Sequence, residues 1–566
     1  ALGVSALYAL TSGDSNVAIG FEAMTANTAG GLNVAIGKHA LKSNTTADAG
    51  VAIGEFALTA NTTGARNVGV GSSTLRVQTT ASDNTAVGYQ ANRYNTSGAS
   101  NTSLGSRALT ANTTASGNVA VGHSAMLTGT TAAYNVAVGL DSLKLQTTGN
   151  NNVAVGAYTL QTSTTGTSNT AVGTESLLDN TTGNNLTAIG YSALANNTTA
   201  DDNIAIGYNA MLANTTGTRN IAIGNLAYDA SDTENDNIAI GHTAMSLDTA
   251  GGTYNIAIGN YALDALTSGD DNVAVGYNSL SGNSTGINNT GLGHQTLLDN
   301  TTGSDNVALG SEALFANTTA DANVAIGVFA MGTNTTGTGN TAVGYHSMRL
   351  NTTANSNTAV GNQSMYANTT GANNTGLGFY ALKANTTGAR NTGIGRNALT
   401  ANTTANENVA VGDLAMNANT IGHSNVAVGA NALLTNISAK DCTAVGFEAL
   451  KVLEAGSGDA SEAFGNTAVG KHAGLAMTTG NSHTCIGMDA GAQLQTGAGN
   501  TIVGRDAGSF RVNLTTGSNN TLLGAYARTT AVDTNHAIAI GYDIGVADND
   551  FGFGKLNNIV LNDFDA

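Results

Sequence analysis

Hydrophobic and polar residues recur along the chain with a 17-residue period. The period is marked by the glycine that closes segments such as Asn16–Gly20, Asn84–Gly88 and Asn203–Gly207. There are 32 such glycines, and 28 of the 31 steps between them have this length. A period kept over most of a long chain is typical of units that stack in one fixed geometry. Positions within a unit are numbered here from this glycine, which is position 0.

Each position of the unit has its own residue type. Position −1 is Ile, Val or Leu in all 32 units, position −3 is mostly Val, Ile or Thr, and position −2 is small until Ile502 and Leu522. Position +4 is mostly Leu or Met, position −4 is mostly Asn, and an Asn-Thr-Thr segment begins at position +7. Short β-branched runs bounded by Asn and Gly indicate strands, and so short a unit leaves no room for a stable helix.

These positions predict an all-β protein, a parallel β-solenoid (β-roll) with two short strands in each 17-residue unit. One strand covers positions −3 to −1, and the other lies near the Ala-Leu-x-x-Asn-Thr-Thr run, with glycine supplying the positive φ between them. Equivalent strands of successive units are expected to pair about 4.8 Å apart. The aliphatic side chains at position −1 are expected to form the buried ladder of the interior.

The small residues at position −2 suggest that this strand is buried on both faces. Successive side chains of a strand point to opposite sides, so position −2 lies opposite the aliphatic positions, and no charged residue occupies it in any unit. We interpret the small residues as close packing of like chains around a symmetry axis. A tight turn within one chain that requires alanine is the alternative. The order of the symmetry does not follow from the pattern.

Composition excludes several function classes. Only 10% of the residues are charged, and the formal net charge is −18. Nucleic-acid binding is therefore not expected, because neutralising phosphates requires clustered Lys and Arg. No run of about 18 apolar residues is present, so no membrane insertion is expected either. We interpret the negative charge as a source of solubility.

The period divides the chain into four segments. They are regular repeats (1–453), an insertion (454–465), variant repeats (466–545) and a C-terminal cap or tail (546–566). In the variant repeats, glycine replaces the Leu or Met of position +4 at Gly474, Gly491 and Gly508. Atypical terminal units are expected, because the open end of a solenoid is an unpaired strand edge.

The sequence predicts no catalytic, cofactor-binding or metal-binding residues. Cys442 and Cys485 occupy different positions two units apart, roughly 10 Å along the stack, which is too far for a disulfide. Six of the nine histidines follow the glycine by one or two residues, and no two share a position on adjacent units, so no metal-ligand cluster is expected. These six are His39, His123, His242, His294, His346 and His472.

Two further patterns have alternative interpretations. The Asn-Thr-Thr segments match the N-glycosylation signal, but a ladder of stacked Asn and Thr hydrogen bonds explains them more simply. Aromatic residues recur at position +1, where they are expected to face outward and contact sugars or a neighbouring protein, unless they are scattered surface residues. They are Phe21, Tyr89, Tyr191, Tyr208, Tyr277, Tyr345, Phe379 and Phe447.

The unit N-[TV]-A-[VI]-G-x-x-A-L-x-x-N-T-T-G resembles the repeats of phage tail-fibre shafts. It is also similar to repeats in the YadA-like heads of trimeric autotransporter adhesins, over about residues 1–545. The resemblance implies a left-handed roll, a homotrimer and a location in a virion tail fibre or otherwise outside the cell. The tail Phe551–Ala566, with Phe551, Phe553 and Phe564, resembles the segment before the self-cleaving chaperone domain of phage fibres, although the Ser-Asp cleavage signature is absent.

The favoured hypothesis is a non-enzymatic fibre shaft that needs no cofactor and holds a host-recognition element at a distance. Its expected partners are copies of itself and adjoining fibre or baseplate proteins, with a host cell-surface glycan or protein as a further candidate. The alternative is an adhesin-type surface that binds glycan or ice. A polysaccharide depolymerase is a third hypothesis, disfavoured because the repeat accounts for every carboxylate pair.

Overall fold

The computed structural model describes residues 1–247, 251–453, 463–555 and 558–563, and these contain strands, turns and bends but no helix. The chain divides into two compact units, Ala1–Thr285 and Gly286–Ala566. Both are built from the same element, a three-residue strand that recurs once in each repeat. The predicted all-β, parallel β-solenoid is confirmed.

Among its described residues, the first compact unit contains sixteen strands, all three residues long. They are β1 (Val17–Ile19), β2 (Val34–Ile36), β3 (Val51–Ile53), β4 (Val68–Val70), β5 (Thr85–Val87), β6 (Thr102–Leu104), β7 (Val119–Val121), β8 (Val136–Val138), β9 (Val153–Val155), β10 (Thr170–Val172), β11 (Thr187–Ile189), β12 (Ile204–Ile206), β13 (Ile221–Ile223), β14 (Ile238–Ile240), β15 (Ile256–Ile258) and β16 (Val273–Val275).

The second compact unit continues the series and ends in longer strands. They are β17 (Thr290–Leu292), β18 (Val307–Leu309), β19 (Val324–Ile326), β20 (Thr341–Val343), β21 (Thr358–Val360), β22 (Thr375–Leu377), β23 (Thr392–Ile394), β24 (Val409–Val411), β25 (Val426–Val428), β26 (Thr443–Val445), β27 (Thr467–Val469), β28 (Thr484–Ile486), β29 (Thr501–Val503), β30 (Thr521–Leu523), β31 (Arg528–Thr529), β32 (Ile538–Tyr542), β33 (Gly545–Val546), β34 (Asp550–Lys555) and β35 (Asn558–Asp563).

Within each compact unit, the strands of successive repeats pair in parallel with the register that the period predicts. In β1 and β2, for example, Val17 pairs with Val34 and Ile19 with Ile36. The pairing of β26 with β27 keeps this register across the longest step, with Thr443 opposite Thr467. Residues 454–462 of the predicted insertion, and Phe564 of the predicted tail, lie outside the described residues.

The second strand predicted in each unit is not formed in the described part of the three-residue-strand repeats β1–β29, and a short one occurs only near the end of the series, where β31 pairs with β33. Residues at positions +2 and +4 have left-handed backbone conformations, as in Glu22 (φ 53°) and Met24 (φ 52°), so this segment is not extended. Its amides still reach the next unit, since the N–H of Met24 donates to the carbonyl of Ala40 at 2.9 Å. The repeats of β1–β29 therefore have one strand, followed by a tightly turned segment whose amides donate to the next repeat as those of the strand do.

The interior is the reverse of the one predicted for this strand. Ala18, at position −2, is fully buried, whereas Val17 and Ile19 on either side of it are 44% and 39% exposed. The predicted buried ladder at position −1 is therefore wrong, and the aliphatic side chains point outward. The coil is narrow, and alanine at positions −2 and +3 with Leu or Met at position +4, as in Ala23 and Met24, already fills its apolar half.

Asparagine ladders fill the other half of the interior. The Nδ2 of Asn44 donates to the Oδ1 of Asn27 at 2.9 Å and to the carbonyl of Ala47 at 3.2 Å. At position −4, the N–H of Asn33 donates to the Oδ1 of Asn16 at 3.0 Å, and its Nδ2 donates to the same Ala47 carbonyl at 2.8 Å. The predicted role of Asn-Thr-Thr as a hydrogen-bonded ladder is confirmed, and Asn27, Asn33 and Asn44 are fully buried.

Glycine at position 0 is required by the distance between units. Gly20 has φ 135°, a conformation that residues with a side chain rarely adopt. A Cβ atom added there would lie 2.5 Å from the carbonyl oxygen of Gly37 in the next unit. The strict glycine therefore reflects both the turn and the contact between successive backbones.

Candidate interaction surface

The outward side chains of the strands form one continuous feature within each compact unit. We call it the outer apolar stripe, and it comprises positions −3 and −1 of β1–β30 together with position +1 of the same repeats. Val17, Ile19 and Phe21 are its members in one repeat, with 44%, 39% and 47% of their surface exposed. Three-residue strands produce this stripe because positions −3 and −1 share a face while position −2 points inward.

The stripe is free of charge along its two strand positions. Across the whole sequence, positions −3 and −1 hold only Val, Ile, Leu and Thr in these strands, without one Asp, Glu, Lys or Arg. Exposed positions elsewhere in the repeat do carry charge, as at Arg66 and Asp83 of position −5, which form an ion pair at 2.6 Å. Exposure alone therefore does not explain the exclusion of charge from the stripe.

Aromatic rings line one margin of the stripe at position +1. The predicted outward orientation is confirmed, since these rings are about half exposed, for example 48% in Tyr191 and 49% in Tyr208. Those two rings come from adjacent repeats and lie nearly parallel, with centroids 5.6 Å apart. The aromatic margin widens the apolar surface and adds phenolic hydroxyls at its edge.

Two pairs of opposite charges at position +1 join one repeat to the next. Lys38 lies 3.4 Å from Glu55, and Arg396 lies 2.8 Å from Asp413. The hydrogen bond to Asp413 raises the pKa of Arg396 above its usual value. These side chains thus satisfy one another within a single chain.

The two threonines of each Asn-Thr-Thr segment differ in their surroundings. The Oγ1 of Thr45 donates to the carbonyl of Thr62 at 3.1 Å, and Thr45 is partly buried. Thr46 is exposed. In this repeat the second threonine is the more exposed of the two, and the hydroxyl of the first is used within the chain, which weakens the hypothesis of an ice-binding face made of paired hydroxyl rows.

The two cysteines are free and buried. Burial raises the pKa of the Cys442 thiol to about 11 and that of the Cys485 thiol to about 12. Cys442 replaces an asparagine at position −4, and Cys485 replaces an alanine at position −2. Both act as small interior residues, as the sequence suggested.

Two histidines have environments that the sequence did not reveal. His483 replaces an asparagine in the ladder at position −4, and its Nδ1 accepts the backbone N–H of Asn500 at 3.2 Å. His472 lies between two carboxylates of neighbouring repeats, with Nδ1 3.0 Å from Asp489 and Nε2 3.5 Å from Glu448. The signal was available in the sequence, since Glu448, His472 and Asp489 all occupy position +2 of consecutive repeats.

The described residues contain no group of three or more His, Cys, Asp or Glu side chains placed to hold a metal ion. They form no detectable pocket, and no helix among them is suited to crossing a membrane. Neither a protein-family model nor a curated protein sequence matches the chain. The outer apolar stripe is thus the surface on which a functional argument rests.

Proposed function

We propose that the chain is a non-catalytic structural element, the shaft of a phage tail fibre or of a similar extracellular appendage. In this role, copies of the chain pack against one another through the outer apolar stripe. The observation that carries the proposal is the exclusion of charge from positions −3 and −1 of β1–β30, although every side chain at these positions is at least partly exposed, up to 44% in Val17.

The extent of the stripe supports burial against a partner. Soluble monomers rarely expose contiguous apolar patches larger than a few hundred Å². The first compact unit alone carries sixteen strands in parallel register, each with two outward side chains of this kind. A stripe of this size, with no charged residue at its two strand positions, has the properties of a subunit interface.

The partner that we favour is the same chain. A partner must match an apolar surface that repeats about every 4.8 Å, and another copy of the chain has this repeat. Three copies around an axis would bury both aliphatic positions, since each stripe then faces two neighbours. The resemblance to trimeric repeat proteins supports this number.

The one-dimensional construction supports the role of a spacer. Within each compact unit, the three-residue strands pair with the strands before and after them in the series, so stability is close to a sum of nearly equal neighbour terms. Such an element holds a host-recognition part away from a particle, and adjoining fibre or baseplate proteins would bind at its ends. A host-associated, extracellular location follows from the same proposal.

The mass of the folded chain in solution tests the proposal. We expect a single species of three times the 56.3 kDa chain mass. The substitutions Ile189→Lys and Ile258→Lys, made together in the stripe, should lower the mass to that of one chain. The matched control places lysine at Thr199 and Thr216, which are exposed outside the stripe, and should leave the mass unchanged. A folded wild-type monomer at micromolar concentration contradicts the proposal.

A second candidate function is glycan binding at the aromatic margin. It is favoured by Tyr191 and Tyr208, whose half-exposed rings lie nearly parallel on adjacent repeats and carry hydroxyls suited to saccharides. A glycan array probed with the wild-type chain and with the Tyr191→Ala/Tyr208→Ala variant tests it. Loss of a specific signal in the variant supports glycan binding, and the absence of any signal with the wild type removes this candidate.

A further inference from the structure

The tail that sequence analysis placed outside the repeat continues the outer apolar stripe. Strand β34 pairs in parallel with β32, so that Phe551 lies opposite Ile538, Phe553 opposite Ile540 and Gly554 opposite Gly541. Gly554 has φ 138°, close to the 137° of Gly541. The segment Phe551–Gly554 is therefore a divergent Val-Ala-Val-Gly, and Phe551 and Phe553 take positions −3 and −1.

The next strand, β35, breaks the pattern of parallel pairing along the stripe. Strand β35 pairs with β34 in the antiparallel direction, which places Val560 opposite Phe553. These two side chains are 65% and 56% exposed. The β34–β35 hairpin thus adds an apolar cluster of Phe551, Phe553 and Val560 in which strand direction, residue size and pairing all differ from the repeats.

The rest of the stripe determines register only weakly. In the second compact unit, position −1 passes through similar residues, namely Leu292, Leu309, Ile326, Val343, Val360, Leu377, Ile394, Val411, Val428 and Val445. If two copies shift by one repeat, each aliphatic side chain meets another of the same kind, and only the contact of the last repeat is lost. Periodic strands with one uniform face are prone to such slippage.

We infer that the β34–β35 hairpin sets the register between copies of this chain by packing against the same hairpin of its neighbours. The inference rests on the proposed self-association. Phenylalanine offers a larger apolar contact than any Val or Ile of the repeats. This cluster occurs once in the described stripe, so its best partner is the same cluster on a neighbouring chain. That contact is lost when the chains shift by even one repeat.

A shift also changes how assembly ends. Copies aligned at the hairpin cover one another's stripes over equal lengths. Shifted copies leave uncovered apolar stripe, to which further copies add, and the products become heterogeneous in mass. The hairpin therefore determines whether association stops at a closed oligomer or continues.

The test compares the mass distributions of three forms of the full chain. In the Phe553→Val/Val560→Thr variant, the hairpin carries residues typical of the repeats, which should preserve its strands. The control variant Val428→Thr/Val445→Thr makes two conservative changes within the repeats. Mass photometry gives the species present, and class averages from electron microscopy show whether their ends are level.

We expect one oligomer with level ends for the wild type and the control, and a ladder of larger, staggered species for the hairpin variant. A hairpin variant as homogeneous as the wild type overturns the inference, and so does a wild type that associates heterogeneously. Both outcomes leave the proposed self-association intact, whereas a monomeric wild type refutes that proposal first. Should the double variant lose its circular-dichroism signal, Phe553→Ile, which copies Ile540, serves in its place.

Discussion

The Cδ1 atom of Ile502 lies 3.2 Å from where a Cβ atom on Gly508 would stand. In the regular repeats, position −2 is mostly alanine and position +4 mostly leucine or methionine, whereas this repeat has isoleucine and glycine in their places. The large interior side chain of this repeat is thus at position −2 and not at position +4. The interior thus keeps its volume while its residues exchange, as close-packed cores require.

This exchange predicts strong coupling between the two positions. Ile502→Ala should cost about 2–5 kcal/mol in the free energy of unfolding because it leaves a cavity. Gly508→Leu should also destabilise, since the new side chain meets Ile502. The double variant should be more stable than the sum of the single changes by about 1–3 kcal/mol. Denaturant unfolding of the four proteins measures this coupling, and strictly additive changes would contradict the exchange.

The glycine at position 0 predicts a sharp contrast within one repeat. Gly327 has φ 130°, and a Cβ there would stand 2.5 Å from the carbonyl oxygen of Gly344. Gly327→Ala should therefore destabilise the chain by at least about 2 kcal/mol. Gly332 is the control, because a Cβ there meets nothing nearer than 3.4 Å. Gly332→Ala should leave stability unchanged or raise it by up to about 1 kcal/mol, as thermal unfolding will show.

The asparagine ladder predicts that one amide supports two others. The Nδ2 of Asn385 donates to the Oδ1 of Asn368 at 2.8 Å, and its Oδ1 accepts from Asn402 at 2.8 Å. Asn385→Ala leaves both neighbours short of a buried partner, at a cost of about 2–5 kcal/mol in unfolding free energy. Thr387→Ala, two residues away at an exposed position, should be nearly neutral. Equal effects of the two changes in urea unfolding would argue against the ladder as a source of stability.

His483 predicts a dependence of stability on pH. Burial lowers the pKa of this imidazole to about 4, outweighing a backbone contact with Gly497 that raises it. The unfolded chain therefore binds a proton on His483 more readily than the folded chain does. The stabilisation of the fold by the neutral, buried imidazole is fully present above the ordinary pKa near 6.5 and is lost as the pH falls towards 4. The loss is on the order of 3 kcal/mol.

The variant His483→Asn restores the ladder residue of the neighbouring repeats and removes this titration. Its stability advantage over the wild type should widen between pH 7 and pH 4.5, as measured by denaturant unfolding at both values. The carboxylates titrate in both proteins, so the difference between them isolates His483. A constant difference would mean that this histidine is not protonated on unfolding.

The stacking of the repeats could be derived from the sequence, but the direction of the side chains could not. A regular period with β-branched positions requires paired strands whatever the interior contains. Alternation then places Ala18 opposite Val17 and Ile19 without saying which side is inside. Hydrophobicity favoured the aliphatic pair, and the structure has the alanine inside because the coil is too narrow for three large side chains.

The second predicted strand failed for a local reason. Leucine at position +4 occurs in many strands, yet Leu41 has φ 49°, a conformation that costs a residue with a side chain some free energy and is not predicted for leucine. Burial of the side chain, with 1% exposed, and the hydrogen bond from its N–H to the carbonyl of Ala57 offset that cost. Both contributions come from the adjacent repeat.

The aromatic residues at position +1 were correctly expected to face outward, whereas the outer apolar stripe beside them was not foreseen. Its signal was the absence of any charged residue at positions −3 and −1, a feature that buried and interface residues share. The exposed surface of Val17 and Ile19 separates the two cases, and the residue pattern does not give it.

The hydrogen bonds between repeats have a consequence for how such a chain changes length during evolution. The amide of Val34 donates to the carbonyl of Gly50 at 2.8 Å, and that of Val51 donates to Asn67 at the same distance. After one whole repeat is removed or duplicated, every such N–H again lies opposite an equivalent carbonyl of the next repeat. A single-residue deletion within a strand instead shifts the N–H groups out of line with those carbonyls. Gene duplication and recombination can therefore lengthen or shorten the array in steps of one repeat at little cost to stability.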